Sequence, residues 1–169
     1  MTLQCSRSFT SFPIKSGELI TDDKLLSLFN NFCEKDSNVC AILYNKNKIL
    51  SIGCNTPNTK ISLFKHQLKL PSVHAEVRCI SKFISTVPNK TRKVSSANLI
   101  IVRGSKDGKK LMNSNPCKNC AEFITSMFIN RFIRIKNIVY YDKKVIKKNI
   151  YDLEFTHVSK GWKNFYVKR

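Results

Sequence analysis

No run of about 18 consecutive apolar residues occurs in this chain of 169 residues, so no membrane-spanning helix is expected. The first residues, Met1-Thr2-Leu3-Gln4-Cys5-Ser6-Arg7, lack the charged-then-apolar order of a secretory leader, and an intracellular, cytoplasmic chain is expected rather than a secreted one. No internal repeat and no linker divides the text, which at this length fits a single domain. Acidic side chains are scarce: 11 stand against 30 Lys and Arg, a formal charge of +19. The imbalance is lopsided. Residues 1–89 hold 11 basic and 6 acidic side chains, net +5, whereas residues 90–169 hold 19 and 5, net +14. A surface of this kind attracts polyanions and loses that attraction as salt rises. Two readings stay open, nucleic-acid binding through a basic surface and a merely solvated, Lys-rich exterior.

Cysteine is present but does not read as a disulfide framework. The seven are odd in number, and Cys5, Cys33, Cys40, Cys54 and Cys79 lie scattered, as small buried apolar residues do. Only Cys117 and Cys120 form a spaced pair. Without a leader, such a pair points to a metal or redox site.

Taken in order, residues 1–20 carry Phe9, Phe12, Pro13 and Ile14 without a period, the text of an irregular N-terminal arm; residues 21–169 read as one domain with a basic C-terminal tail. Thr21 or Asp22 caps a helix whose Leu25, Leu28, Phe29 and Phe32 recur at helical spacing, ending near Asp36-Ser37-Asn38. Val39–Tyr44 and Lys48–Gly53 read as two strands of a hairpin turning at Asn45-Lys46-Asn47. Lys60 to Leu70 is ambiguous. Val77, Ile80, Phe83 and Ile84 continue a helix that opens at His74-Ala75-Glu76 and closes before Pro88. Asn89 to Ser96 is a basic connector, and Ala97–Val102 is a strand apolar on both faces. Pro116 suits a second helix start, followed by Ala121, Ile124, Met127 and Phe128. Ile138–Tyr141 is a further strand. Beyond Asp142 the text holds a helix or a strand, its Tyr151, Phe155, Trp162, Phe165 and Tyr166 interleaved with lysines. That mixture suits either stacking on single-stranded bases or packing on the core or a neighbouring subunit. The element order implies a three-layer α/β/α sandwich with a mixed sheet.

The chemistry concentrates in His74-Ala75-Glu76 and Pro116-Cys117-Lys118-Asn119-Cys120, together H-x-E…P-C-x-x-C, the pattern of zinc deaminases that act on nucleobases. Expelling an amino group with water requires a hydroxide that neutral water does not supply. Zinc on three protein ligands with a fourth position open lowers the pKa of its water to about 7. His74, Cys117 and Cys120 are ligands of that kind, and two cysteines three apart at a helix start share a face and gain from the helix dipole. Glu76, two residues after a ligand, suits the neighbouring role of proton shuttle. The competing reading is a structural zinc site, which needs a fourth ligand such as His66 or His157.

With those residues in place, the chain resembles the cytidine deaminase-like superfamily from about residue 21 to 141. The resemblance implies a mixed five-stranded sheet with zinc at two helix starts, Asn55 holding the sugar of the substrate, and the Ala75 backbone amide reading the base carbonyl. It also implies a homo-oligomer. Two features depart from the pattern. His74 and Cys117 are 43 residues apart, more than is usual, the excess falling in Asn89–Ser96 and Arg103–Asn115. Leu111-Met112-Asn113-Ser114-Asn115 also differs from the text before Pro-Cys in adenosine deaminases, and resembles short deaminase-like proteins of large DNA viruses, which would make the chain virion-associated. The implied activity is conversion of a cytosine base to uracil, carried by a nucleoside, nucleotide or nucleic acid. The alternatives are an adenosine deaminase acting on RNA and a silent deaminase fold that binds or packages nucleic acid.

Overall fold

A computed structural model describes residues 14–15, 17–56, 60–63, 66–69, 73–87 and 95–153. In chain order these form α1 (Asp22–Phe32), β1 (Val39–Asn45), β2 (Lys48–Cys54), β3 (Lys60–Leu63), β4 (His66–Lys69), α2 (Ala75–Thr86), β5 (Ser95–Gly104), β6 (Leu111–Met112), α3 (Lys118–Thr125), α4 (Met127–Asn130), β7 (Ile133–Asp142), β8 (Lys144–Asn149) and a 3-10 turn (Ile150–Asp152).

The apolar runs of β1 and β5 make them the centre of the sheet. The strand order is β2-β1-β5-β7-β8, with β6 pairing β5 outside that path. All pairs are antiparallel except β5 with β7. The five strands expected from the resemblance are therefore joined by a sixth, of two residues. Alternation along the strands sends Cys40, Ile42, Ile100, Val102 and Val139 to one face, where Leu25, Leu28 and Phe29 of α1 cover them. Ala41, Leu43, Leu99, Ile101 and Ile138 go to the other, beneath α2 and α3. The result is the three-layer α/β/α sandwich. One irregularity keeps the long strand β7 in phase. Pairing steps from Ala97↔Ile135 to Asn98↔Asn137, and the bulged residue lets Ile133, Ile135, Ile138 and Tyr140 all serve the α2–α3 face.

Several sequence expectations are corrected. α1 stops at Phe32, not near residue 37. Beyond it the text turns polar, and Cys33 adopts an extended backbone whose N–H closes on the Phe29 carbonyl at 2.9 Å. The ambiguous stretch 60–70 contains the separate antiparallel pair β3–β4. Ser95 and Ser96 open β5 rather than ending a connector, and the loop Arg103–Asn115 is largely a β5–β6 hairpin, Gly104 pairing with Leu111. The helix after Pro116 breaks at Ser126, whose hydroxyl donates to the Phe123 carbonyl at 2.7 Å, so Met127 and Phe128 belong to α4. β7 begins five residues before the expected Ile138, and β8 follows it. The aromatics from Phe155 onward lie outside the described residues, as does Cys5, while Tyr151 is 68% exposed. Cys40, Cys54 and Cys79 are buried free thiols and Cys33 is half-buried.

Helix α2 sits on β2 at backbone contact. A Cβ added to Gly53 would lie 2.3 Å from the Cys79 amide nitrogen and 2.7 Å from the Ala75 carbonyl oxygen. The Ser51 hydroxyl donates to the Cys79 carbonyl at 2.8 Å, and the Cys79 thiol returns a contact to the Ser51 carbonyl at 3.3 Å. Gly53→Ala should therefore lift the helix and cost about 2–3 kcal/mol of stability, read as a lower urea midpoint; an unchanged midpoint would contradict this seating.

Candidate metal centre and active site

Two helix starts supply the centre. His74 is the N-cap of α2 (φ −70°, ψ 156°) and Cys117 the N-cap of α3 (φ −75°, ψ 160°). Ser, Thr, Asp or Asn usually fill such positions, with an oxygen bonded back to the first turn. Here neither side chain makes a capping bond, so both are free to face one another. Pro116 accordingly precedes the cap rather than forming the first helical residue. Cys120 follows Cys117 by three residues and returns to the same face of α3.

His74 Nδ1 lies 3.1 Å from Cys120 Sγ and 3.5 Å from Cys117 Sγ, and the donor atoms of all three lie within 4.8 Å of one another. Ligands at ordinary zinc distances on tetrahedral corners would be roughly 3.6 Å apart. The donor set, one imidazole and two sulfurs, fits zinc in kind and in spacing. Among the described residues no fourth His, Cys, Asp or Glu joins the group. His66 lies in β4 and His157 outside the described residues.

The electrostatics of the centre divide the cluster between one thiolate and two groups that hold their protons. The Cys120 thiol donates to Cys117 and, with His74, holds the Cys117 thiolate down to about 4. Cys120 is pushed up by that neighbouring thiolate and by burial. His74 is raised by its bond to Cys117, against the opposing pull of burial. Glu76, 5% exposed, is raised by burial itself, and His74 partly offsets the effect.

These side chains open onto a pocket of about 560 Å³ whose walls include His74, Ala75, Glu76, Cys117 and Asn55. The sixth residue singled out by the sequence, Cys120, lies behind them in the ligand cluster. Asn55 is oriented by its neighbours: its Oδ1 accepts from the Val39 amide at 3.2 Å and from the Ser37 hydroxyl, leaving the Nδ2 donors for the pocket. Ala75 is the first residue of α2, and its N–H is among those that a helix start leaves without an internal partner.

Sequence reasoning passed over Ser114, Asn113, Asp142 and Arg103. Buried Ser114 donates from Oγ to the Ile101 carbonyl at 2.8 Å and accepts from the Tyr141 amide at 2.9 Å, while its own amide bonds the Tyr141 carbonyl at 2.8 Å. It thereby ties the entry to Pro116-Cys117 onto β5 and β7. Asn113 Nδ2 donates to Asp142 Oδ1 at 3.0 Å, and Asn113 Oδ1 accepts from the Asn115 amide at 2.9 Å. The only signal for these residues is their nearness to Pro-Cys. For Arg103 it is a charge ending an otherwise apolar strand.

Residues 24–136 match the family model described as "Cytidine and deoxycytidylate deaminase zinc-binding region". Comparison with curated proteins and with solved structures returned no match.

The purified chain should carry one zinc per molecule, and Cys120→Ser or His74→Ala should remove it, as metal analysis after gel filtration will read. Raised values at Cys120 and His74 mean that zinc must displace protons held more tightly than usual. Affinity in chelator competition should consequently fall as pH drops below neutrality. Zinc retained without these ligands, or pH-independent affinity, would count against the site.

Proposed function

For a chain that belongs to the cytidine and deoxycytidylate deaminase zinc-binding family, we propose hydrolytic deamination of a cytosine base to uracil, with water consumed and ammonia released. The observation that carries this reading is the cluster of His74, Cys117 and Cys120 beside a pocket that the buried Glu76 also lines. Zinc held there supplies the Lewis acidity that makes water nucleophilic at neutral pH.

The protein's own groups do the rest. His74, Cys117 and Cys120 hold the ion. The Glu76 carboxylate takes one proton from the attacking water and passes it to the ring nitrogen. It then takes the second from the hydroxyl now on the ring carbon and passes it to the amine, which leaves as ammonia as the carbonyl forms. This is the alternation expected of one group acting as base and then acid. A carboxyl raised by burial is suited to both halves of that task. The Ala75 amide donates to the base carbonyl. An Asn55 Nδ2 donor holds a sugar hydroxyl, its oxygen being already committed to Val39.

Cytosine is favoured over adenine because the text before Pro116 departs from that of adenosine deaminases. Charge favours a phosphate-bearing substrate over a neutral nucleoside: residues 90–169 carry 19 basic and 5 acidic side chains, net +14, a field that concentrates anions.

Glu76→Gln should keep its zinc and lose about 10²–10⁴-fold in turnover, measured as ammonia and uracil formed from cytidine, deoxycytidylate and a cytosine-containing oligonucleotide. Turnover within a few-fold of the parent protein would remove Glu76 from the proposed role.

A further inference from the structure

Arg103 stands near the end of the central strand β5, two residues after Ile101. Alternation therefore puts both on the face that carries α2 and α3, and both line the pocket with His74 and Glu76. Its backbone partners are Val39 of β1 and Met112 of β6. One neighbour leads to Asn55 and the other to the Asn113–Asp142 wall. Arg103 is half-buried, with its Nε enclosed at the sheet end beside the pocket.

Its chemistry is unfinished. Arg103 Nε is buried and has no hydrogen-bond partner. Among the described residues the ion pairs engage Lys24, Arg78 and Lys118 with Glu18, Glu34 and Glu122, and none includes Arg103. Asp142, the acid on the same pocket wall, is engaged by Asn113 Nδ2. An enclosed donor without an acceptor is costly to keep, so a ligand that brings acceptors recovers that cost. A planar guanidinium matches two oxygens of a phosphate at once. The pocket volume, about 560 Å³, falls within the range of about 300–1,000 Å³ usual for small-ligand sites.

We propose that Arg103 binds the phosphate on the sugar of the cytosine substrate and so makes this pocket select nucleotides, free or within a strand, over nucleosides. The inference rests on the deaminase reading of the same pocket. It names the residue behind a preference that net charge alone would leave diffuse.

The test uses the full zinc-loaded chain and its Arg103→Met and Arg103→Lys variants. Turnover is measured on deoxycytidine, on deoxycytidylate and on a short oligonucleotide with a single cytosine. Binding of the products deoxyuridine and deoxyuridylate is measured by calorimetry. The parent protein should prefer deoxycytidylate to deoxycytidine in kcat/KM. Arg103→Met should lower that ratio by about 10- to 100-fold, the worth of a charge-assisted bond, and Arg103→Lys should restore part of it. The oligonucleotide arm tells a free nucleotide from a strand as the source of the phosphate. If no substrate turns over but deoxyuridylate binds more tightly than deoxyuridine, and only while Arg103 is present, the deaminase reading fails and the phosphate site stands. An unchanged ratio in both variants, or equal binding of the two products by the parent protein, overturns the proposal.

Discussion

The structure depends on one constraint: two helices must stand side by side on one sheet face with their N-termini together. His74 and Cys117 are residues of those termini, and Cys120 lies one turn inside, so a shift of either helix along the sheet would separate the ligands. Gly53 lets α2 reach backbone contact with β2, and Ser51 and Cys79 fix its height. Ser114 does the corresponding work for α3, tying the segment before Cys117 to both β5 and β7. Arg78 adds a lateral hold, donating to Glu34 at 3.0 Å and to the Cys54 carbonyl at 3.2 Å beside Asn55. These polar fastenings sit at the rim of a core whose central strands are buried on both faces, which resists sliding better than a half-buried sheet.

The centre was legible in the sequence because its determinants are local. A His and a Cys placed just before apolar helical periods, each after a loop, already imply two helix starts, and the spacing of Cys117 and Cys120 implies a common face. The central strands were legible for a similar reason, since their apolar runs are long. What escaped depends on strand pairing rather than on a segment's own pattern. β6 is a strand only because Arg103 and Gly104 lie opposite Met112 and Leu111. β8, rich in lysine and half-exposed, has no apolar period of its own and is recruited by the edge of β7. The bulge at Lys136–Asn137 cannot be read from a strand whose apolar residues fall out of step until the pairing is known. Arg103 escaped because a lone charge ending an apolar strand says nothing of what encloses it.

Burial shifts the proton affinities of the groups at the centre. Four ionisable side chains, His74, Glu76, Cys117 and Cys120, share a small volume. Cys117 is held as a thiolate, while His74, Glu76 and Cys120 are raised, and a cation bound there displaces protons from His74 and Cys120. The distance in sequence between the two halves of the site, 43 residues from His74 to Cys117, does not loosen it. Part of the extra length is spent on the β5–β6 hairpin, which carries Asn113 and Ser114 into the pocket wall. The hairpin thus adds surface to the pocket wall while the cluster of His74, Cys117 and Cys120 stays compact.

Zinc titration into chelator-stripped protein, with uracil formation from deoxycytidylate followed at each step, tests the central claim most directly. Activity should rise with occupancy and level off at one zinc per chain. Full occupancy with no uracil from deoxycytidylate, cytidine or a cytosine-bearing strand would contradict it.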